Sequence, residues 1–293
     1  MRPLYIVSLS LIAVLLFACM IVPFFLPAEM EKVVFIDMED GSRLFPPIPP
    51  SNEYLLGTDE FGQDLLHQVL LFGRNTLLLV FAITFFRFVL SSVISYFVGK
   101  KGTVSYWITE KMNHYLSGLP VLLLAILFMN LPIIEAATFR TFYIVFFLII
   151  IECGRLSFLL SQEWHHLRRE PFYEASIMTG SDSWFRLGKY DLRHVGPTMT
   201  VMFFQELAKV MLLIGQLGFL SMFISQQWFT MDGGPVEVQN TFGTWGSMLS
   251  DTRQYIRDEP WIPLVPIVAI TLAMFTFHHC ALSLKTYFQK FQR

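Results

Sequence analysis

The sequence predicts an all-α membrane protein with six transmembrane helices and both termini in the cytoplasm. Three observations carry that expectation: the composition, the count of long apolar segments, and the distribution of Lys and Arg. Of 293 residues, 54% are hydrophobic and 15% charged, with a mean hydropathy of +0.52. A soluble domain carries about 25% charged residues, so the composition argues against a soluble enzyme, a disordered tail or a secreted disulfide scaffold. Thirty Phe suit segments that face lipid. The formal net charge of −2 gives no basic character that would point to nucleic acid. Cys19, Cys153 and Cys280 all lie in apolar runs without metal-ligand spacing and read as small hydrophobes.

A membrane helix needs roughly 20 mostly apolar residues. Six segments qualify, at about 4–27, 75–99, 117–134, 139–161, 197–226 and 261–284. In the first, Leu16-Phe17-Ala18-Cys19 has the look of a lipoprotein cleavage box, but the apolar run continues through Leu26, which favours an anchor over a cleaved signal. The third is the shortest and holds Pro120, which a bundle tolerates where neighbouring helices satisfy the freed carbonyl. The fifth ends in Gly215, Gly218 and Ser221, small residues that allow helices to approach closely. With the N-terminus inside, the inside segments hold twelve Lys and Arg and the outside loops five, the expected positive-inside bias.

Two outside loops are long enough to be functional or flexible. Residues 28–73 include the turn-rich run from Pro46 to Ser51; residues 227–260 include Gly233-Gly234-Pro235 and Gly243-Thr244-Trp245-Gly246. Either is interface padding or a docking surface for an external partner. In the inside loop 162–196, Pro171 ends one helix and suits the first turn of the next. A short helix over about 171–179 is expected, with Phe172, Tyr173, Ser176, Ile177 and Met178 on its apolar side and Gly180 at its end. A helix resting on lipid favours Lys and Arg on its polar face. This one has Glu174 and no basic residue, which favours a protein partner.

Four stretches, in order, resemble the C-type permease subunit of bacterial dipeptide, oligopeptide and nickel ABC importers. Leu56-Gly57-Thr58-Asp59-Glu60-Phe61-Gly62-Gln63-Asp64-Leu65-Leu66, followed by Gly73-Arg74-Asn75-Thr76-Leu77, looks like the family's outside segment LGTDxxGRDxLSRxxxGxRxSL, with Gln63 in place of Arg. Gly118-Leu119-Pro120-Val121-Leu122-Leu123-Leu124-Ala125 is similar to the PxLLLA opening of the third span. Gly154-Arg155-Leu156 resembles the exit of the fourth span, and Tyr173-Glu174-Ala175-Ser176 with Gly180 resembles the EAA…G motif that docks on an ATPase. Thr244-Trp245-Gly246-Ser247-Met248-Leu249-Ser250-Asp251, with Pro260-Trp261 and Pro266, is close to the family's WGxMLxD…PWxxxxP ending. The chain departs from the pattern where Ser176 replaces the second Ala, and where the stretch from Gly180 to Pro197 is about four residues longer than usual.

The resemblance implies an ABC importer type I permease fold: an anchor helix (1–27), an extracytoplasmic loop (28–74), a core permease domain (75–285) and a cytoplasmic tail (286–293). Within the core it implies a docking helix near 171–180 and an extracytoplasmic loop at 227–260. It also implies a bacterial inner-membrane location and four kinds of partner: a homologous second permease, two ATP-binding subunits, an extracytoplasmic substrate-binding protein and the lipid bilayer. Tyr173, Glu174, Ala175, Ser176 and Gly180 become the ATPase-docking residues. No G-x-x-x-x-G-K-[ST] phosphate loop is present, so ATP and Mg are expected on the partner subunits, with no cofactor or metal on this chain and no catalysis of its own.

Ionisable residues inside spans are functional candidates. Arg87 lies mid-span with no partner in its own helix, and Glu206 or Glu152 are its candidate partners across helices. Glu152 and Arg155, and Glu206 and Lys209, are spaced i,i+3 and are able to pair on one helix face. All five are candidates for the translocation path or for intramembrane charge pairs. His278 and His279 are adjacent and point about 100° apart on a helix, which favours packing over a shared metal. His165, His166 and Glu163 form no H-E-x-x-H. A self-sufficient secondary transporter or channel is the alternative, but the internal repeat common in such folds is not evident.

Overall fold

Apolar segments become helices, and prolines and polar caps set where they stop. The computed structural model describes residues 2–25, 27, 32–37, 43–98, 104–230, 236–240, 242–250 and 252–291. The first helix, α1 (Arg2–Leu16), continues through a π turn at Phe17–Ile21 and a 3-10 turn at Val22–Phe24. A minimal hairpin follows, β1 (Ile36–Asp37) with β2 (Arg43–Leu44), Ile36 opposite Leu44. Then come α2 (Leu65–Phe97), α3 (Val104–Ser117), α4 (Val121–Met129), α5 (Pro132–Glu135), α6 (Arg140–Ile150) and α7 (Cys153–Leu167). The short helices α8 (Pro171–Met178) and α9 (Ser183–Arg186) lead through a π turn at Leu187–Asp191 into α10 (Leu192–Phe219). An antiparallel hairpin, β3 (Gln226–Thr230) with β4 (Val236–Asn240), precedes a 3-10 turn at Ser247–Leu249, α11 (Thr252–Tyr255) and α12 (Trp261–Phe291).

Among the described residues, five stretches are long and apolar enough to cross a membrane: Ile6–Phe24, Leu65–Phe97, Arg140–Leu167, Leu187–Phe219 and Trp261–Gln289. The expected third span, 117–134, is not one continuous helix. Pro120 and Leu131 hold extended backbone at ψ 123° and 129°, the latter because it precedes Pro132. The nine-residue α4 left between them rises about 14 Å, under half of a hydrocarbon core of about 30 Å.

Other boundaries move too. The second span begins at Leu65 rather than 75, because the Asp64 carboxylate caps the Leu66 N–H at 2.9 Å. The fourth is two helices, α6 and α7, separated at Ile151–Glu152. The fifth ends at Phe219 rather than 226, closed by a Schellman turn in which Met222 N–H reaches Leu217 O and Ser221 N–H reaches Gly218 O. Ser221 takes the left-handed position of that turn, φ 57°. The expected tail at 286–293 is helical through Phe291. Gly233-Gly234-Pro235 and Asp251 lie outside the described residues.

Large apolar side chains line the outside of the long helices, among them Phe81, Phe85, Phe86 and Val89 on α2 and Leu264, Val268, Leu272 and Phe275 on α12. Such belts exceed what a water-soluble surface exposes and match lipid.

The chain divides into two compact units. The first takes in Ala82–Ala208 with the described parts of Met1–Ser8 and Phe277–Arg293. Here α3 packs along α7, and α4 meets α6 through Phe128 and Phe147, stacked at 3.9 Å. The second unit, Leu9–Phe81 and Lys209–Thr276, joins stretches far apart in sequence. Trp245, 1% exposed, donates its backbone N–H to Thr76 Oγ1 at 2.9 Å and its indole N–H to Val69 O at 2.7 Å. Asn75 Nδ2 donates to Gly243 O at 3.0 Å. Leu65, Tyr255 and Ile262 form a buried cluster capped by Leu56, Met248 and Trp261. Gly218 and Gly246 meet backbone to backbone: a Cβ on Gly218 would overlap the Gly246 carbonyl, and one on Gly246 would lie 2.6 Å from Ile214 O.

Candidate functional site

Two features of the first unit gather the residues singled out in the sequence. The first is α8. Glu170, at ψ 137°, turns the chain so that Pro171 opens the helix where no N–H is needed. Gly180 closes it in the left-handed conformation, φ 74°, within a Schellman turn: Ser181 N–H reaches Ser176 O and Gly180 N–H reaches Ile177 O. Tyr173 and Ser176, one turn apart, are buried, while Glu174, Ala175, Ile177, Met178 and Gly180 are exposed. The apolar side expected from sequence is therefore only partly inward. Met178 is 86% exposed and Ile177 52%, whereas Phe172 stacks on the His194 ring at 4.7 Å.

The seat beneath α8 is aromatic. Tyr173 packs with Trp164, Leu167 and Val195, flanked by Tyr96 and Met199. Trp164 stands edge-on to Tyr96 at 5.7 Å and donates its indole N–H to Ser95 Oγ at 3.0 Å. Arg168 donates to Tyr96 O at 3.2 Å. Side chains of α7 are thus tied to the last turns of α2 directly under the helix. The Ser176 hydroxyl donates to Tyr173 O at 2.7 Å, a carbonyl one turn back on its own helix. Ser176→Ala is expected to stay within about 1 kcal/mol of wild type, since one neutral bond is lost while helix propensity improves. Tyr173→Ala is expected to cost about 3 kcal/mol by opening a hole in the aromatic seat. Thermal unfolding of the two variants in one detergent measures the contrast.

The second feature is a buried cluster of charges. Arg87 and Glu206, each 2% exposed, face one another with Nη1 to Oε2 at 3.3 Å. Arg87 Nη2 donates to Leu148 O on α6. Arg155 donates to Glu152, the residue that precedes its helix, and lies 3.7 Å from Glu206 Oε1. Two cations and two carboxylates from α2, α10 and the start of α7 therefore neutralise one another, with Arg87, Glu152 and Glu206 buried and Arg155 27% exposed, as a low-dielectric interior requires of its buried charges. Of the two partners open to Arg87 in sequence, the geometry selects Glu206. The local Glu152–Arg155 pair is present, and Arg155 reaches further to Glu206 as well. Lys209 is exposed and belongs to the second unit.

No family model matches the chain. The oligopeptide transport system permease protein OppC of Haemophilus influenzae (strain ATCC 51907 / DSM 11121 / KW20 / Rd) is 22% identical over 276 residues, 92% of this chain and 79% of that protein. The probable D,D-dipeptide transport system permease protein DdpC of Escherichia coli (strain K12) is 21% identical over 231 residues, 79% of this chain and 71% of that protein. The dipeptide transport system permease protein DppC of Alkalihalophilus pseudofirmus (strain ATCC BAA-2126 / JCM 17055 / OF4) is 24% identical over 231 residues, 78% and 69% of the two. The chain is thus similar along most of its length to permease proteins of dipeptide and oligopeptide transport systems. It is a multi-pass membrane protein.

The chain also holds a cavity that no sequence motif marks. A cavity of about 320 Å³ in the first unit is lined by Glu163 of α7, Thr198 and Gln205 of α10, and Lys285 and Gln289 of α12. These residues carry no motif and are joined only by the packing of three helices. Tyr96 falls in the expected second span and Trp164 in the expected inside loop; the Trp164 indole and the Tyr96 carbonyl find partners 69 and 72 positions away in the chain.

Proposed function

We propose that this chain is one of two permease subunits of an ATP-driven ABC importer for peptides or similar small solutes in a bacterial inner membrane. It forms half of the translocation path and carries no catalysis of its own. ATP and Mg bind to two partner subunits, and an extracytoplasmic binding protein delivers the substrate. Both termini and α8 lie on the cytoplasmic side, and α3 with α4 completes a sixth, broken crossing. The observation that carries this reading is the two-faced geometry of α8, with Tyr173 and Ser176 seated on buried aromatics and Glu174, Ala175, Ile177 and Met178 presented outward. A short rigid helix, held on one side and apolar at its exposed tip, is suited to sit in a cleft of an ATPase. The tie from Trp164 and Arg168 to Ser95 and Tyr96 offers a route by which movement of that cleft reaches the membrane helices.

Ala175→Trp tests the docking. Ala175 is exposed, so the substitution is expected to leave the membrane helices folded. The expected result is a permease that purifies with normal yield and thermal midpoint but loses its ATPase subunits. Full recovery of those subunits by the variant would remove the docking assignment. Wild-type protein recovered as a pure homo-oligomer that still transports would favour a self-sufficient secondary transporter.

A further inference from the structure

The second unit contains a cavity of about 400 Å³ between the turn at 59–63, the first turns of α2 and α12, and the segment 243–255. That volume falls in the range of small-molecule sites, roughly 300–1,000 Å³. Among the described residues its lining carries two carboxylates, Asp59 and Glu60, and no Lys, Arg or His. The two acids differ. Asp59 is occupied: Oδ1 accepts the N–H groups of Phe61 at 2.9 Å and Gln63 at 2.7 Å, and Oδ2 accepts Gln68 Nε2 at 2.5 Å. Burial pushes the Asp59 carboxyl above its ordinary range, against the pull of those donors. Glu60 is exposed, lines the cavity, and takes a hydrogen bond from the Tyr255 hydroxyl through Oε2, which leaves its second oxygen for another donor.

Two hydroxyls of the wall are engaged by backbone carbonyls. Thr252 Oγ1 donates to Leu249 O and Ser247 Oγ to Thr244 O, each at 2.7 Å. Much of the remaining wall is apolar or aromatic: Phe61, Phe72, Phe223, Met248, Ile262 and Pro263. Among the described residues, a concave site with an exposed carboxylate, no Lys, Arg or His in its lining and an aromatic wall suits a small cation with an apolar body.

We propose that this cavity binds a small ligand bearing a primary ammonium group beside an apolar side chain, with Glu60 as its counter-charge and the Phe61, Phe72 and Phe223 rings around the side chain. The peptide-permease reading enters only in the choice of probe: the free N-terminus of a short apolar peptide has this chemistry, and so does a simple alkylamine.

The test uses the permease with whatever subunits co-purify, in nanodiscs and without binding protein, titrated calorimetrically with Leu-Leu, N-acetyl-Leu-Leu and 3-methylbutylamine. The expected result is that Leu-Leu binds, that acetylation weakens it at least tenfold, and that Glu60→Gln weakens it at least tenfold at an unchanged thermal midpoint. Tyr255→Phe, which frees Glu60 of its hydrogen bond, is expected to bind as tightly or more tightly. Amine binding within threefold of Leu-Leu assigns the site to the ammonium and side chain alone; much weaker amine binding assigns it to a peptide N-terminus. Equal binding of the acetylated peptide, no Leu-Leu binding at 10 mM, or a folded Glu60→Gln with wild-type affinity overturns the proposal. The acetylation arm needs no variant, so it decides even where Glu60→Gln does not fold. Absent binding in a preparation that retains ATPase subunits removes this inference and leaves the importer reading intact; binding without them does the reverse.

Discussion

Arg87→Leu is expected to destabilise the protein by about 3–5 kcal/mol, because it leaves a buried carboxylate without its main partner. Glu206 is 2% exposed and 3.3 Å from the Arg87 guanidinium. Arg155 lies 3.7 Å from its other oxygen and supplies partial compensation, which places the expected loss in the lower half of that range. The Leu148 carbonyl loses a donor in the same substitution. The double variant Arg87→Leu, Glu206→Leu is expected to recover most of the loss, since an apolar pair of similar volume carries no desolvation penalty. Exchange of the charges, Arg87→Glu with Glu206→Arg, is expected to recover part of it, limited by the fixed position of Leu148. Thermal or detergent unfolding of the single and double variants as a cycle measures the coupling. A wild-type midpoint for Arg87→Leu, or a double variant no better than the single, would sink the pairing.

Gly218→Ala is expected to cost about 3 kcal/mol, at the top of the range for overpacking. The added Cβ would overlap the Gly246 carbonyl, which is backbone and does not move aside by a change of rotamer. Moving that carbonyl displaces Trp245, whose indole and backbone N–H are held by Val69 and Thr76. The variant is therefore expected to show a lower thermal midpoint together with faster proteolysis in 242–250. Gly196→Ala on the same helix is the control. A Cβ there meets nothing within 4 Å, so better helix propensity is expected to raise stability by about 0.5–1 kcal/mol. Equal effects of the two substitutions would mean that α10 and the Gly246 strand of chain do not cross as closely as described.

The legible parts of the fold are those fixed by neighbours in sequence. Pro171 and Gly180 bound α8 because one residue lacks an N–H and the other tolerates positive φ; both facts belong to the residue type. Pro120 and Pro132 likewise marked breaks, although the sequence reading merged the apolar run across them into a single span. The end of α10 was missed because Ser221, not glycine, takes the left-handed position, and nothing local in a serine announces that. The early start of α2 was missed because Asp64, His67, Gln68 and Arg74 interrupt the apolar residues between them. This stretch is helical because Asp64 caps it and because Leu65 and Thr76 are buried against Tyr255, Ile262 and Trp245.

By itself the sequence determined the class of the protein, the approximate places of its helices, the bounds of α8 and the family that its motifs resemble. These depend on apolar runs, cap residues and short motifs, all of which act within a few residues of themselves. Only the tertiary structure decided that Arg87 pairs with Glu206, that Tyr173 and Ser176 rather than Ile177 and Met178 form the seated face of α8, and that Trp245 locks onto Thr76. In each case the deciding partner lies elsewhere in the chain: Arg87 and Glu206 are 119 positions apart, and Trp245 and Thr76 are 169 apart. Helical periodicity says which side chains share a face, but a charge or a ring is satisfied by whatever the path of the chain brings against that face.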